Sequence, residues 1–319
     1  MNMLIKTVAV AAVLLVSVGV SFADVVDDAM ARAAERLLLG QQAPDGTWGE
    51  QGFTGEAAIG LVSAYQWSGD ARYKAAAERA GDALIAEAWD GENYLGLYPS
   101  STYAMVKLSE ISADPANNKW RSALVTDFTG LSAINTANYF AAQADASSAT
   151  YDMARLTVAA SYLGSDVALW RAGLKQVLSN YQDNLGGYKD TAAGAATWAL
   201  AISGDLSSSE YVSDDIASAW HVTLSSLPGM LGSSNAAEPT MMALLGLLAA
   251  QADTGASYSQ IDSKYLSLAS QITPNGFVSS DNNWYFFNGQ ALEVVPEPTC
   301  MALIGLGGMA LLRRRKMHA

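Results

Sequence analysis

Cysteine is nearly missing from this 319-residue chain: the only one is Cys300, close to the C-terminus. No disulfide can therefore brace the body in any compartment, and its core must hold it together unaided. Histidine is almost as scarce, with only His221 and His318. A zinc site of the usual Cys/His kind is thereby excluded, as are Ser/His/Asp and Cys/His catalytic sets, and only an all-oxygen cation site stays open. Basic residues are few, 18 Lys and Arg against 31 Asp and Glu, for a formal charge of −13. Five of those cations, Lys6, Arg313, Arg314, Arg315 and Lys316, sit in the two ends, so the body between them is more acidic still. Such a surface repels phosphate backbones, and nucleic acid is not expected as a partner. No metal or cofactor is expected either. Charged residues make up only 15% of the chain and hydrophobic ones 50%, which is ample for a sizeable core.

The two ends carry addresses. Lys6 precedes an apolar stretch over 8–16 that is too short to span a bilayer, and Ser21-Phe22-Ala23 is a small-x-small cleavage site. This is the pattern of a secretory signal peptide, cut between Ala23 and Asp24. At the other end, Pro296-Glu297-Pro298 precedes an apolar run over 300–312 and then Arg313-Arg314-Arg315-Lys316. The run falls short of the ~20 residues of a comfortable transmembrane helix. The cations behind it act as a stop that stays on the cytoplasmic side. In order and spacing this tail resembles the PEP-CTERM protein-sorting signal, a family also labelled the ice-binding protein C-terminal domain. The body has no flat threonine array that would support ice binding. The resemblance implies export, an exosortase as processing partner, a membrane contact before processing, and a final place at the cell envelope or in an exopolysaccharide matrix.

Between these ends, residues 24–294 read as one domain of repeated helical hairpins. The clearest repeat mark is the turn Gln42-Ala43-Pro44-Asp45-Gly46-Thr47-Trp48-Gly49, with weaker copies at Asp90-Gly91-Glu92-Asn93-Tyr94, Asn184-Leu185-Gly186-Gly187-Tyr188 and Asn275-Gly276-Phe277. Segments 54–65, 99–111, 149–163, 190–202 and 238–250 are apolar nearly all round, with a stub of a sixth at 288–294. Amphipathic segments 27–39, 72–88, 117–128, 167–181, 210–224 and 261–272 alternate with them. Helices apolar all round are buried and amphipathic ones cover them. The expected fold is all-α, an (α/α)5-6 toroid of helical hairpins, with an N-terminal signal helix and a short C-terminal transmembrane helix. An open HEAT-like solenoid is the alternative. The turn, with Gln41 and Gln42 ahead of Gly46 and Trp48, resembles the QW-type repeat of the terpenoid cyclase and prenyltransferase α/α-toroid superfamily. That resemblance implies a tie between the buried helix and its cover; it carries no chemistry. The Asp-x-Asp-Asp acid of a cyclase and the zinc ligands of a prenyltransferase are both missing.

Acids recur at the starts of the buried helices: Glu56, Asp152, Asp190 and Glu238. Hydrolysis of a glycosidic bond needs two carboxylates at a set separation, one with a raised pKa, and (α/α)-barrels of glycoside hydrolases and polysaccharide lyases place theirs at such ends. Acids at helix N-termini also simply cap the helix and suit its dipole. Lys107 and Arg155 lie within apolar helices, and a lyase uses a cation to neutralise a uronate carboxylate. Arg155 also stands three residues from Asp152, a spacing that lets the two pair. Trp48, Tyr65, Trp67, Tyr94, Tyr98, Tyr103, Tyr151 and Tyr188 gather around turns and helix ends, as sugar-stacking platforms or turn anchors. Two functions remain open: a surface or matrix protein that binds polysaccharide or other proteins, and a carbohydrate-active lyase or hydrolase.

Overall fold

The computed structural model describes residues 25–41, 45–49, 51–181, 189–204, 237–255, 257–277 and 284–294. The described residues are predominantly helical, in twelve helices. These are α1 (25–40), α2 (Gln51–Ser68), α3 (Ala71–Glu87), α4 (Pro99–Glu110), α5 (Lys119–Gly130) and α6 (Ala133–Ala141), then α7 (Ala146–Leu163), α8 (Val167–Tyr181), α9 (Lys189–Ser203), α10 (Ala237–Thr254), α11 (Gln260–Gln271) and α12 (Trp284–Glu293). A two-residue hairpin, β1 (Trp89–Asp90) and β2 (Asn93–Tyr94), lies between α3 and α4. The sequence patterns at 210–224, the third turn copy at 184–188, the signal segment and the apolar tail lie outside the described residues. Among the described residues, no helix is long and apolar enough to cross a membrane.

Burial separates the helices into two kinds. In α1 the buried side chains are Val26, Ala29, Met30, Ala33, Ala34 and Leu37, one stripe at helical spacing. The same stripe appears in α3 (Tyr73, Ala76, Ala77, Ala80, Leu84), in α8 (Trp170, Leu174, Val177, Leu178) and in α11 (Ile261, Tyr265, Leu268). In α2, α9 and α10 the buried residues run round the axis, as in Met241, Met242, Ala243 and Leu244. The all-round helices form a chain of neighbours: α2 packs on α4, α4 on α7, α7 on α9, α9 on α10, α10 on α12, and α12 back on α2. Covering helices lie against them, α3 on α2 and α4, α5 on α4, α8 on α7, and α11 on α10. The nine-residue α6, absent from the sequence-based pattern, packs on α7 and α8 and is capped by Ser132, whose hydroxyl accepts from Asn135 N. A helix of two and a half turns is too short for its period to register.

The first turn ties cover to core. Trp48 is 1% exposed, its indole N–H donates to Leu37 O of α1 at 2.9 Å, and its backbone N–H reaches Thr54 Oγ1 of α2 at 3.1 Å. Asp45 accepts from the N–H and hydroxyl of Thr47, both at 3.0 Å, and so closes the turn on itself. Gln41 Nε2 donates to Gly46 O and to Ala76 O of α3, both at 2.9 Å, so Gln41 supplies the glutamine of this turn; Gln42 lies outside the described residues. Gly46, Gly91 and Gly276 all have positive φ, at +81°, +63° and +77°, so the three described copies share a left-handed glycine that other residues adopt at a cost. The anchors differ. At the second copy Tyr94 Oη donates to Asp127 Oδ1 at 2.9 Å, and buried Asp127 also takes Leu97 N and Thr102 Oγ1. At the last copy, Phe277 N donates to Asn288 Oδ1 of α12 at 3.1 Å, while Arg32 of α1 donates to Ile272 O and Thr273 O.

Small residues let the inner helices approach closely. A Cβ on Gly194 of α9 would sit 2.2 Å from Met242 O of α10, whereas one on Gly130, at the end of α5, would meet nothing within 4 Å. Gly194→Ala is expected to lower stability by about 1–3 kcal/mol, because backbone rather than a flexible side chain must move. Gly130→Ala should leave stability unchanged or raise it by up to about 1 kcal/mol. Urea midpoints of the two variants check the contrast, and equal effects would refute a close α9–α10 contact.

Candidate functional site

A charged side chain in a helix apolar all round has nowhere to go but inward. Glu56 of α2 and Arg155 of α7 show this: they are 1% and 2% exposed, and Arg155 Nη2 donates to Glu56 Oε1 in a buried ion pair. Asp152, one turn ahead of Arg155, approaches its Nη1 at 3.7 Å. The spacing-based pairing of Asp152 with Arg155 is thus secondary; the main partner is Glu56, 99 residues away. The Arg155 guanidinium lies over the Tyr151 ring, 3.7 Å from its centroid. Tyr151 and Tyr103 in turn pack on Trp198 of α9, at centroid separations of 6.5 and 5.1 Å. Tyr151 Oη donates to Glu293 Oε2 of α12 at 3.4 Å, so four helices of the circuit, with α4 as a fifth through Tyr103, meet in one polar centre.

Burial dominates the electrostatics there. It raises the Glu293 carboxyl above its usual range, although Arg155, Lys107 and hydrogen bonds from Tyr103 and Tyr151 pull the other way. The Tyr103 and Tyr151 phenols are pushed well up for the same reason, with Glu293 adding to it. Burial pulls the Arg155 pKa down, with the Glu293 charge opposing. Three groups in this centre keep unused hydrogen-bonding capacity: Glu56 Oε2, Glu293 Oε1 and Arg155 Nε.

The other sequence candidates fall around this centre. Lys107 of α4 pairs with Glu110 at 3.1 Å. Asp152 is the seventh residue of α7 and Glu56 the sixth of α2, so both lie past the first turn and not at the helix starts expected from the sequence, because the two helices begin earlier. Burial and Asp145 raise the Asp152 pKa to about 7. Glu238, in the first turn of α10, is raised by burial and by the same Asp145. Asp145 itself precedes α7 and accepts from the N–H and hydroxyl of Ser148, at 3.2 and 2.8 Å, in the manner of an N-cap. Asp190 is the second residue of α9, and its side chain lies outside the described residues. Glu56, Asp152 and Arg155 therefore come together; Glu238 shares Asp145 with Asp152; Lys107 stands with Glu293. Sequence reasoning missed Glu293, Gln290, Trp198 and Asp145. For Glu293 a signal existed, since it is the one acid in the apolar stub at 288–294. Among the described residues no group of His, Cys, Asp and Glu is arranged to hold a metal ion.

Comparison with known proteins bears on the end of the chain that leaves this centre. Residues 294–316 match the PEP-CTERM protein-sorting motif. The match starts one residue after Glu293, and from residue 295 onward it lies outside the described residues. It marks the chain as an exosortase substrate, exported and associated with the cell envelope. No curated protein and no solved structure matches the chain.

Removing one partner of a buried ion pair leaves the other charge uncompensated, at about 3–5 kcal/mol. Glu56→Gln is expected to lose that much stability, and Glu56→Leu with Arg155→Met to recover most of it, as read by urea denaturation; an unaffected Glu56→Gln would mean the pair is exposed in solution. Asp152 titrates near 7 when folded and near 3.8 when unfolded, so the folded state binds the proton more tightly. Its contribution is therefore most favourable at low pH and is lost as pH rises from about 4 to about 7. Asp152→Asn should be more stable than the parent at pH 8, with the advantage shrinking as pH falls to 4. A pH-independent difference between the two midpoints would contradict this.

Proposed function

We propose that this chain is a surface or matrix protein whose body, residues 24–294, is an (α/α)6 toroid that binds polysaccharide or other proteins. An N-terminal signal peptide over 1–23 delivers it, and the segment 295–319 holds it in the membrane through the apolar run until an exosortase acts at Pro296-Glu297-Pro298. The circuit of six neighbouring inner helices, with covering helices against α2, α4, α7 and α10, is what supports the toroid. The single observation that carries a non-enzymatic body is the state of Glu56. Its carboxylate is closed at 1% exposure against Arg155, whose guanidinium lies over the Tyr151 ring, and is not offered to a substrate.

One observation favours a second reading, a polysaccharide lyase or glycoside hydrolase. Asp152 is a partly exposed carboxyl held near pH 7 in the second turn of an inner helix, with a guanidinium 3.7 Å away. That is the tuning a general acid needs.

The purified chain is incubated with a panel of neutral and acidic polysaccharides, following new reducing ends and unsaturated-uronate absorbance. Glu56→Gln, Asp152→Asn, Asp190→Asn and Glu238→Gln run alongside. The expected outcome is retention on one polysaccharide with no turnover. Turnover abolished by Asp152→Asn, with helicity intact, would replace the binding reading by the enzymatic one. In an exosortase-bearing host, replacement of Pro296-Glu297-Pro298 by alanines is expected to leave the tail uncut, as read from the mass of the mature chain.

A further inference from the structure

The sorting motif follows the folded body without a spacer. Ala291 and Leu292 of α12 are fully buried, and Val294, the next residue after the helix, is 1% exposed. The Val294 carbonyl accepts from Tyr265 Oη of α11, a bond that pins the end of α12 to its covering helix. Glu293 is held from the other side by Tyr151. Pro296 is only two residues further on, so covalent geometry keeps it within about 7 Å of Val294.

A peptidase takes its substrate extended, with several residues on each side of the scissile bond paired to the enzyme in a strand-like manner. On the N-terminal side of this motif those residues are Val295, Val294 and Glu293, with Leu292 next. In the folded body Leu292 and Glu293 end α12, Leu292 is buried, the Glu293 carboxyl accepts from Tyr151, and the Val294 carbonyl is held by Tyr265. Resting on the sorting reading above, we propose that the fold gates its own processing: the exosortase acts on the motif only after the last turn of α12 detaches from Tyr265 and Tyr151. Because α12 also joins α10 to α2, that detachment loosens the seam of the circuit. A chain with an incomplete circuit is processed fast, and a completed one slowly.

The test is a pulse-chase of tail processing in an exosortase-bearing host, on the full chain, Tyr265→Phe, and a chain with about eight Gly and Ser residues inserted between Val294 and Val295. An unrelated exported carrier with residues 295–319 behind the same linker runs beside them. Insertion is expected to speed processing roughly tenfold or more, because no native contact then has to open. Tyr265→Phe removes one hydrogen bond, and processing should quicken about fivefold, with amide exchange over 291–294 quickening in proportion. A carrier processed quickly while the parent chain lags supports the gate. Equal rates for the parent and insertion chains overturn it, as does a Tyr265→Phe chain whose amide exchange quickens while its processing does not. An unprocessed carrier overturns the sorting reading, and the gate with it.

Discussion

The approach of Gly60 to Gly289 holds the two ends of the body together. A Cβ on Gly60 would lie 2.7 Å from Gly289 Cα, and one on Gly289 would lie 2.4 Å from Glu56 O, so both backbones must be bare for α2 and α12 to meet. That contact sets the height of α12 against α2. One residue on is Gln290, and one turn on is Glu293, both delivered to the centre where Glu56 and Arg155 already sit. The outer counterpart of the seam is Arg32 of α1, which reaches back to Ile272 O and Thr273 O across some 240 residues of sequence. Every other neighbouring pair in the circuit joins helices close in the chain, whereas this one joins its two ends. Closing it late and losing it early are two faces of the same loop-closure cost.

The polar centre is a consequence of that narrowness. Inner helices made of alanine, glycine and serine bring their backbones near one another, and little room is left for long side chains. Those that remain, Glu56, Arg155, Tyr103, Tyr151 and Trp198, satisfy one another first. A buried ion pair adds little net stability, since desolvation takes back most of the Coulomb gain. Its effect is selective: α7 and α2 have one rotation that joins Arg155 to Glu56, and any other leaves both charges buried alone. The apolar stripes of the covering helices supply the stability, and the pair fixes which way the inner helices face.

Much of this was legible in the sequence, and what was not has a physical reason. The alternation of all-round and striped helices follows from periodicity, as do the roles of Gly46 and Trp48, because each is a local property of ten or twenty residues. The tie itself was legible in kind, and Gln41, one of the two glutamines of the turn, makes bonds to Gly46 O and Ala76 O. At the second copy Tyr94 was legible in the tryptophan's place, but its partner was not, since Asp127 lies 33 residues away on α5. The centre is harder still. Glu56 and Arg155 are 99 residues apart, Tyr151 and Glu293 142, and nothing local announces either partner. Helix-start acids were readable only in part: Glu238 and Asp190 fall in first turns, whereas Glu56 and Asp152 lie further along α2 and α7. Which of them shares a neighbour, as Asp152 and Glu238 share Asp145, depends on the circuit.

Charge then constrains what such a body holds on to. The chain carries −13 overall, and five of its 18 cations lie in the two ends, which leaves the body more acidic still. A body so acidic is repelled by anionic lipid headgroups and by uronate-rich polymers, over roughly a Debye length of 8–10 Å. Long-range attraction therefore does not bring it to an anionic matrix, and retention there needs either the tail in the membrane or short-range contacts that ignore charge. Exposed rings such as Tyr98 and Tyr139, each about 60% accessible, offer contacts of that kind to uncharged sugars. For the polysaccharide-binding reading, neutral glycans are then the favoured ligands, and added salt should leave that binding almost untouched while it relieves the repulsion from acidic ones.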